Sequence, residues 1–187
     1  QKEEVSNFEV VKLQCEYLIN PIGIDTKSPR FSWQLQSDAK GTKQEAYQIV
    51  IGLDEHFLEK GYVWKTKKVN SGNNLVVYDG PSLIPFTKYF WGVQVWGNQG
   101  SHSISKIASF ETGMMEMSNW KGSWITDTRD IDLKPAPYFR KEFTTGKNIK
   151  SARAYVAAAG LFELCINGQK VGDQKLDPIY TRFDRRN

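Results

Sequence analysis

The chain has 187 residues, enough for one large or two small domains, with 40% apolar and 25% charged residues. Its 25 basic and 21 acidic residues leave a net charge of +4, and no Lys/Arg run exceeds three residues, so no surface reads as a phosphate-tracking stripe. No apolar run is long enough for a membrane span, which argues against insertion.

Aromatic residues make up 13% of the chain, including six Trp, a share suited to pleated faces. Phe8 to Leu13 reads as a first strand. A loop with Asn20-Pro21, Gly23 and Ser28-Pro29 follows. Phe31, Trp33 and Leu35 then share one face of a second strand, with Ser32 and Gln34 on the other. Tyr47, Ile49 and Ile51 line a third. Val63-Trp64 and Leu75 to Tyr78 are shorter segments bracketed by Asn70-Ser71-Gly72 and Asp79-Gly80-Pro81. In Tyr89 to Trp96, Tyr89, Trp91, Val93 and Val95 alternate with Phe90, Gly92, Gln94 and Trp96. Gly97 to Gly100 reads as a hairpin turn, and Ile104 to Phe110 closes the set. Helical spacing is not sustained, and about seven strands in ~110 residues fit a sandwich.

Met114 to Asn119 is a short irregular link. Strands are expected again at Ser123 to Thr126, Tyr138 to Phe143, Ala152 to Ala157 and Leu161 to Ile166. Asn167-Gly168 is a strong tight-turn signal before Gln169. The expected architecture is all-β: a fibronectin type III/immunoglobulin-like sandwich over 1–114, then an incomplete jelly-roll β-sandwich over 115–187.

The wording of several segments carries a resemblance. CEYLINPIGIDTKSPRFSWQL, AYQIVIG, KYFWGVQVWGNQG, FETG, WITD, PAPYFRKEF and INGQKVGDQKLDPIYTRFDRR, in this order, resemble the N-terminal region of bacterial α-L-rhamnosidases of glycoside hydrolase family 78. These inverting enzymes remove terminal rhamnose from glycans. The resemblance implies export to the periplasm or extracellular space. QKEEVSNFEV is compatible with a start exposed after processing, and Gln1 does not open a signal sequence. It also implies a missing C-terminal catalytic domain, a helical barrel of the same polypeptide that carries the acid and base. The chain itself is therefore expected to be inactive, with unfinished sheet edges open to self-association. A stand-alone carbohydrate-binding module and an adhesion or scaffold protein are the alternatives.

Inversion requires two carboxyl groups across the scissile bond. Glu16 and Asp25 flank the first loop, Glu111 lies in FETG, and Asp173, Asp177 and Asp184 gather near the end. Glu16 and Glu111 sit at strand ends, and the Asp residues sit in loop sequence where local hydrogen bonding favours them. None is read as catalytic. His56 and His102 lack partners in register and are read as surface residues. Cys15 and Cys165 are read as buried free thiols acting as small hydrophobes. No metal site or cofactor is expected. Binding of a rhamnose-containing glycan would draw on rings and polar partners in the second region. Trp120, Trp124, Tyr138 and Tyr180 are available there, and core or domain packing is the favoured role for such rings. Asn167, Asp173, Asp177, Tyr180 and Arg182 are the candidates for sugar binding or a domain interface.

Overall fold

The computed structural model describes residues 8–129, 132, 136–146, 148–149, 151–173 and 175–176. It separates into two compact units, Gln1–Ile125 and Thr126–Asn187. The first is an immunoglobulin-like sandwich, and the described part of the chain is nearly all β.

One sheet joins β1 (Glu9–Cys15), β2 (Arg30–Gln36) and β6 (Leu75–Val77) in the order β1-β2-β6. The other is centred on β3 (Gln44–Gly52) and β7 (Lys88–Gly97). β4 (Trp64–Lys65) and β5 (Val69–Asn70) pair with successive parts of β3, while β8 (His102–Ile104) and β9 (Ala108–Glu111) pair with successive parts of β7. Every pairing is antiparallel. The expected strand from Ile104 to Phe110 is thus two pieces. The break falls at Ser105, whose hydroxyl accepts from the Val93 N–H at 3.0 Å while its own N–H donates to the Val93 carbonyl at 2.9 Å.

The first strand runs further than the sequence suggests, because its alternation is interrupted. Val10, Leu13 and Cys15 are buried, and the register against β2 shifts between Val11 and Gln14. Lys12, at φ 50°, is the extra residue. A bulge restores the inward face after one step out of phase. Residues Phe57–Lys60 form a single helical turn, α1, that the sequence reading did not foresee. Phe57 caps the outward side of the β3–β7 pair, and a Cβ at Gly52 would lie 2.2 Å from the Phe57 Cβ. Only glycine admits that approach.

The core fills the space between the sheets with the alternating residues the sequence marks. Phe31, Trp33, Ile49, Ile51, Tyr89, Trp91, Val93, Val95 and Phe110 are all at most 1% exposed. Phe31 lies 4.7 Å from Trp91 and 5.4 Å from Phe110, centroid to centroid, and Tyr89 stacks on Phe110 at 5.1 Å. The Tyr89 hydroxyl accepts from the Ile84 N–H at 2.8 Å, a tyrosine corner at the entry to β7. Two residues on, where many such sandwiches place the second cysteine of an inter-sheet disulfide, this chain has Trp91 against Phe31. Trp33 directs its indole N–H to Gln44 Oε1 at 2.9 Å, and Gln44 in turn donates to the carbonyls of Ser71 and Asn73. The Trp91 indole N–H is buried without a partner.

The second unit contains a short hairpin, β10 (Cys165–Ile166) with β11 (Gln169–Lys170). Its turn is Asn167-Gly168, with φ of 51° and 78°, as the Asn-Gly signal requires for a two-residue hairpin loop. The expected strands over Tyr138 to Phe143 and Ala152 to Ala157 have no ladder pairing among the described residues, nor does the expected strand over Ser123 to Thr126. Of Leu161 to Ile166, the last two residues are in a named strand. Trp124 and Tyr138, for which core or domain packing is the favoured role by sequence, are 76% and 102% exposed and so lie in no core of the described residues. Cys165, expected to be buried, is exposed as well. A strand buries a face only when a sheet backs it, and alternation alone supplies no backing.

Candidate functional site

The loop between β1 and β2 is the most elaborately held part of the first unit. It opens with a hairpin in which Cys15 and Leu18 exchange backbone hydrogen bonds, each 3.0 Å. The two residues between them, Glu16 and Tyr17, have φ of 49° and 64°. Left-handed backbone costs an L-residue about 1–2 kcal/mol, and Asn or Gly normally fills such a turn. Arg30 offsets that cost. Its backbone N–H reaches Glu16 Oε1 at 2.6 Å, its Nε the same oxygen at 3.1 Å, and one terminal nitrogen Oε2 at 2.5 Å. Its guanidinium also lies 4.8 Å from the Tyr17 ring centroid. These hydrogen bonds hold the Glu16 carboxyl below its ordinary pKa. A general acid needs the opposite shift. The neighbouring Cys15 thiol is pushed up to about 12 by burial, with the Glu16 charge adding to it, which makes it inert at neutral pH.

Beyond this hairpin the loop is fastened to the end of β9. The Ser109 N–H donates to Asn20 Oδ1 at 2.8 Å, and the Glu111 N–H to the Pro21 carbonyl at 2.9 Å. Ile24 and Thr112 form a parallel bridge, the Ile24 N–H reaching the Glu111 carbonyl at 3.0 Å and the Gly113 N–H reaching the Ile24 carbonyl at 2.9 Å. Asp25 Oδ1 accepts from the Met115 N–H at 2.7 Å, and Lys27 pairs with Glu116 at 2.8 Å. From the other side, Thr112, fully buried, donates its hydroxyl to the Ile84 carbonyl at 2.6 Å and accepts from the Thr87 N–H at 2.9 Å. The two segments with the most distinctive wording, the first loop and FETG, therefore clasp each other. What they form is an exit clamp: it fixes the path by which the chain leaves the sandwich.

Among the described residues, the other candidate carboxylates do not come together as a pair. Asp25 is engaged by the Met115 backbone, Glu111 is buried at the end of β9, and Asp173 is exposed in the second unit. Asn167 is exposed in its turn. Asp177, Tyr180, Arg182 and Asp184 lie outside the described residues. His56 and His102 are both exposed. Among the described residues, no three His, Cys, Asp or Glu side chains gather in a way that would hold a metal ion. Sequence reasoning missed the clamp partners Arg30 and Thr112, and it read Asp25 as a loop carboxylate without its distant partner Met115. It also missed a groove of about 630 Å³ between β1 and the β8–β9 edge, which Ile19, Ile104 and Ile107 line. The signal for the groove is in the sequence: Leu18, Ile19 and Ile22 are aliphatic residues in a loop whose other residues are mostly polar, Pro or Gly.

The comparisons with known proteins agree with this geometry. The family model described as "Rha78A-like, N-terminal immunoglobulin domain" matches residues 10–116, more than half of the chain. The chain belongs to that family. The match runs from within β1 through β9 and ends at Glu116, the clamp partner of Lys27. A second model, "Alpha-L-rhamnosidase N-terminal domain", matches residues 147–187. A curated α-L-rhamnosidase of Formosa agariphila is 32% identical over 100% of this chain and 22% of its own length. One from an Alteromonas species is 34% identical, covering 91% of this chain and 20% of its own length. Among solved structures, the α-L-rhamnosidase of Streptomyces avermitilis complexed with L-rhamnose matches with a TM-score of 0.62 at 38% identity, covering 64% of this chain and 12% of that one. The chain thus spans about a fifth of the length of the curated relatives it matches.

Proposed function

We propose that this chain is the N-terminal accessory β region of a larger α-L-rhamnosidase-like glycoside hydrolase, which cleaves terminal α-L-rhamnosyl linkages of glycans and is itself periplasmic or extracellular. The observation that carries this reading is the pattern of relatives. Curated α-L-rhamnosidases match along nearly the whole of this chain, yet the match occupies only about a fifth of each. The acid and base would belong to the remainder of that polypeptide. They would act by the inverting route, one carboxylic acid protonating the leaving oxygen and one carboxylate activating water. The described carboxylates support an accessory role, since Glu16 and Asp25 serve backbone and Arg partners.

Within the region, the modules divide in the segment after FETG, the sandwich ending at Met114 and the second module beginning at residue 115. The exposed apolar residues of the second unit, among them Phe139, Phe143 and Ile149, belong to the inward face of a module completed by further strands of the same polypeptide. Two copies lacking those strands would associate through the same open faces. Asn167, Asp173, Asp177, Tyr180 and Arg182 are placed at that module's contact with glycan or with a neighbouring domain.

The test is turnover of an aryl α-L-rhamnoside. The 187-residue chain should give none, while the longer polypeptide containing it should release the aryl group. Hydrolysis by the chain alone refutes the accessory reading, and an inactive longer polypeptide refutes the rhamnosidase reading.

A further inference from the structure

The first unit closes its own core yet leaves one aliphatic surface uncovered. Ile19, Ile104 and Ile107 are 67%, 64% and 51% exposed and line the groove between β1 and the β8–β9 edge. Leu18 and Ile22, at 57% and 62% exposed, lie in the same loop as Ile19. Scattered exposed aliphatics need no explanation, but a contiguous set around one groove marks an interaction surface. The groove is bounded by strands with open outer edges, β1 being outermost in its sheet and β8 and β9 lying along the edge of the other.

This surface is also built to keep its shape. Glu16, Tyr17 and Asn20 all hold left-handed backbone, and each is tied down, by Arg30 at the hairpin and by the Ser109 N–H at Asn20. Strain of this kind persists only where surrounding contacts over-determine it. Here its result is to hold Leu18, Ile19 and Ile22 outward on a fixed loop. A rigid surface loses little conformational entropy on docking.

We infer that this groove is the seat on which the remaining polypeptide of the proposed rhamnosidase docks onto the sandwich; the inference rests on the function proposed above. Three observations select that occupant. About four-fifths of the length of each curated relative lies outside the matched region, so a large partner on the same chain is the one whose effective concentration is highest. The groove is lined mainly by aliphatic side chains, with Asn20 and Ser103 among them, and offers no flat ring to face a sugar, so its composition suits a protein contact. Its rim carries Lys12 and Lys106 against the single carboxylate of Glu9, so the docking surface on the partner carries Asp or Glu around an apolar centre.

The experiment compares Ile19→Glu/Ile107→Glu with wild type in two settings, the 187-residue chain and the longer polypeptide. In the short chain both side chains face water, so the sandwich should melt within about 1 °C of wild type. In the longer polypeptide the double variant should lower the melting of the sandwich by about 5 °C or more, or split it from the rest as a separate transition. Equal melting of variant and wild type in the longer polypeptide overturns the inference. So does an equal loss in both settings, which would make the two residues structural. Concentration-dependent dimers of the short chain that the variant abolishes would assign the groove to a second copy and overturn it too. An inactive longer polypeptide that still shows the melting difference would sink the rhamnosidase reading while leaving the docking seat standing.

Discussion

Both units read as strand-built in sequence, and they meet different fates. Tyr89, Trp91, Val93 and Val95 recur at every second position, whereas Tyr138 to Phe143 groups its polar residues together as Arg140-Lys141-Glu142 between aromatic ends. In the first unit β7 is hydrogen-bonded to β3 on one side and to β8 and β9 on the other, and Trp91 is fully buried. In the second, Tyr138, Phe139 and Phe143 are exposed and the segment has no ladder among the described residues. A helix can be judged from its own residues because its hydrogen bonds stay inside it. A strand's bonds leave it, so its existence depends on what lies beside it. The comparison teaches that patterning specifies a face, and that only a partner makes the face a core.

The largest effect that sharpens this contrast is at Trp91. Trp91→Ala removes a ring packed on Phe31 and should cost about 3–5 kcal/mol in urea unfolding, whereas Tyr138→Ala should change the same transition by less than about 0.5 kcal/mol. Comparable losses at both positions would mean that the second unit has a core of its own.

Next comes Thr112→Val, which keeps the shape of the side chain but strips the hydroxyl that bridges Ile84 and Thr87. Removing the two hydrogen bonds of this hydroxyl at a part-buried site should cost about 1–3 kcal/mol, read as a lower urea midpoint. Tyr89→Phe, which frees the Ile84 N–H, should cost about 1 kcal/mol by the same measurement.

A smaller effect separates the clamp from the core. A Cβ at Gly113 would lie 2.5 Å from Asp25 Oδ1, so Gly113→Ala should push Asp25 off the Met115 N–H. Gly113→Ala and Asp25→Ala should therefore be non-additive in a double-mutant cycle, with a coupling of about 0.5–1 kcal/mol. Simple additivity would show that the clasp is not a unit.

The smallest effect is in pH dependence. Glu16 has its pKa lowered on folding, so its contribution is present above its ordinary value of 4.5 and is lost as pH falls through the folded value. Glu16→Gln should be slightly less stable than wild type near neutrality and should converge on it as pH falls below 4.5. A constant gap across that range would assign the effect to shape instead of charge.

Much of the sandwich was legible because one face of β2, β3 and β7 is almost wholly buried and the alternation survives intact. β1 was harder to read, since the bulge at Lys12 puts Val10 and Leu13 three apart. The helical turn at Phe57 was hidden because a single apolar residue carries it. The clamp was visible as distinctive wording but not as a structure. Its partners are 89 residues apart at Asn20 and Ser109 and 90 apart at Asp25 and Met115, and no local pattern encodes such a pairing. In the second unit the Asn-Gly turn was readable because it is local, while the strands around it depend on neighbours.

Amide hydrogen exchange on the 187-residue chain tests the central claim most directly. The account predicts that amides of β3 and β7 exchange only through global unfolding of the sandwich, while those of residues 138–143 and 152–156 exchange orders of magnitude faster, near the rate of an open chain. Protection of both sets to the same degree would contradict it, because the second unit would then be a finished fold requiring nothing further from the polypeptide.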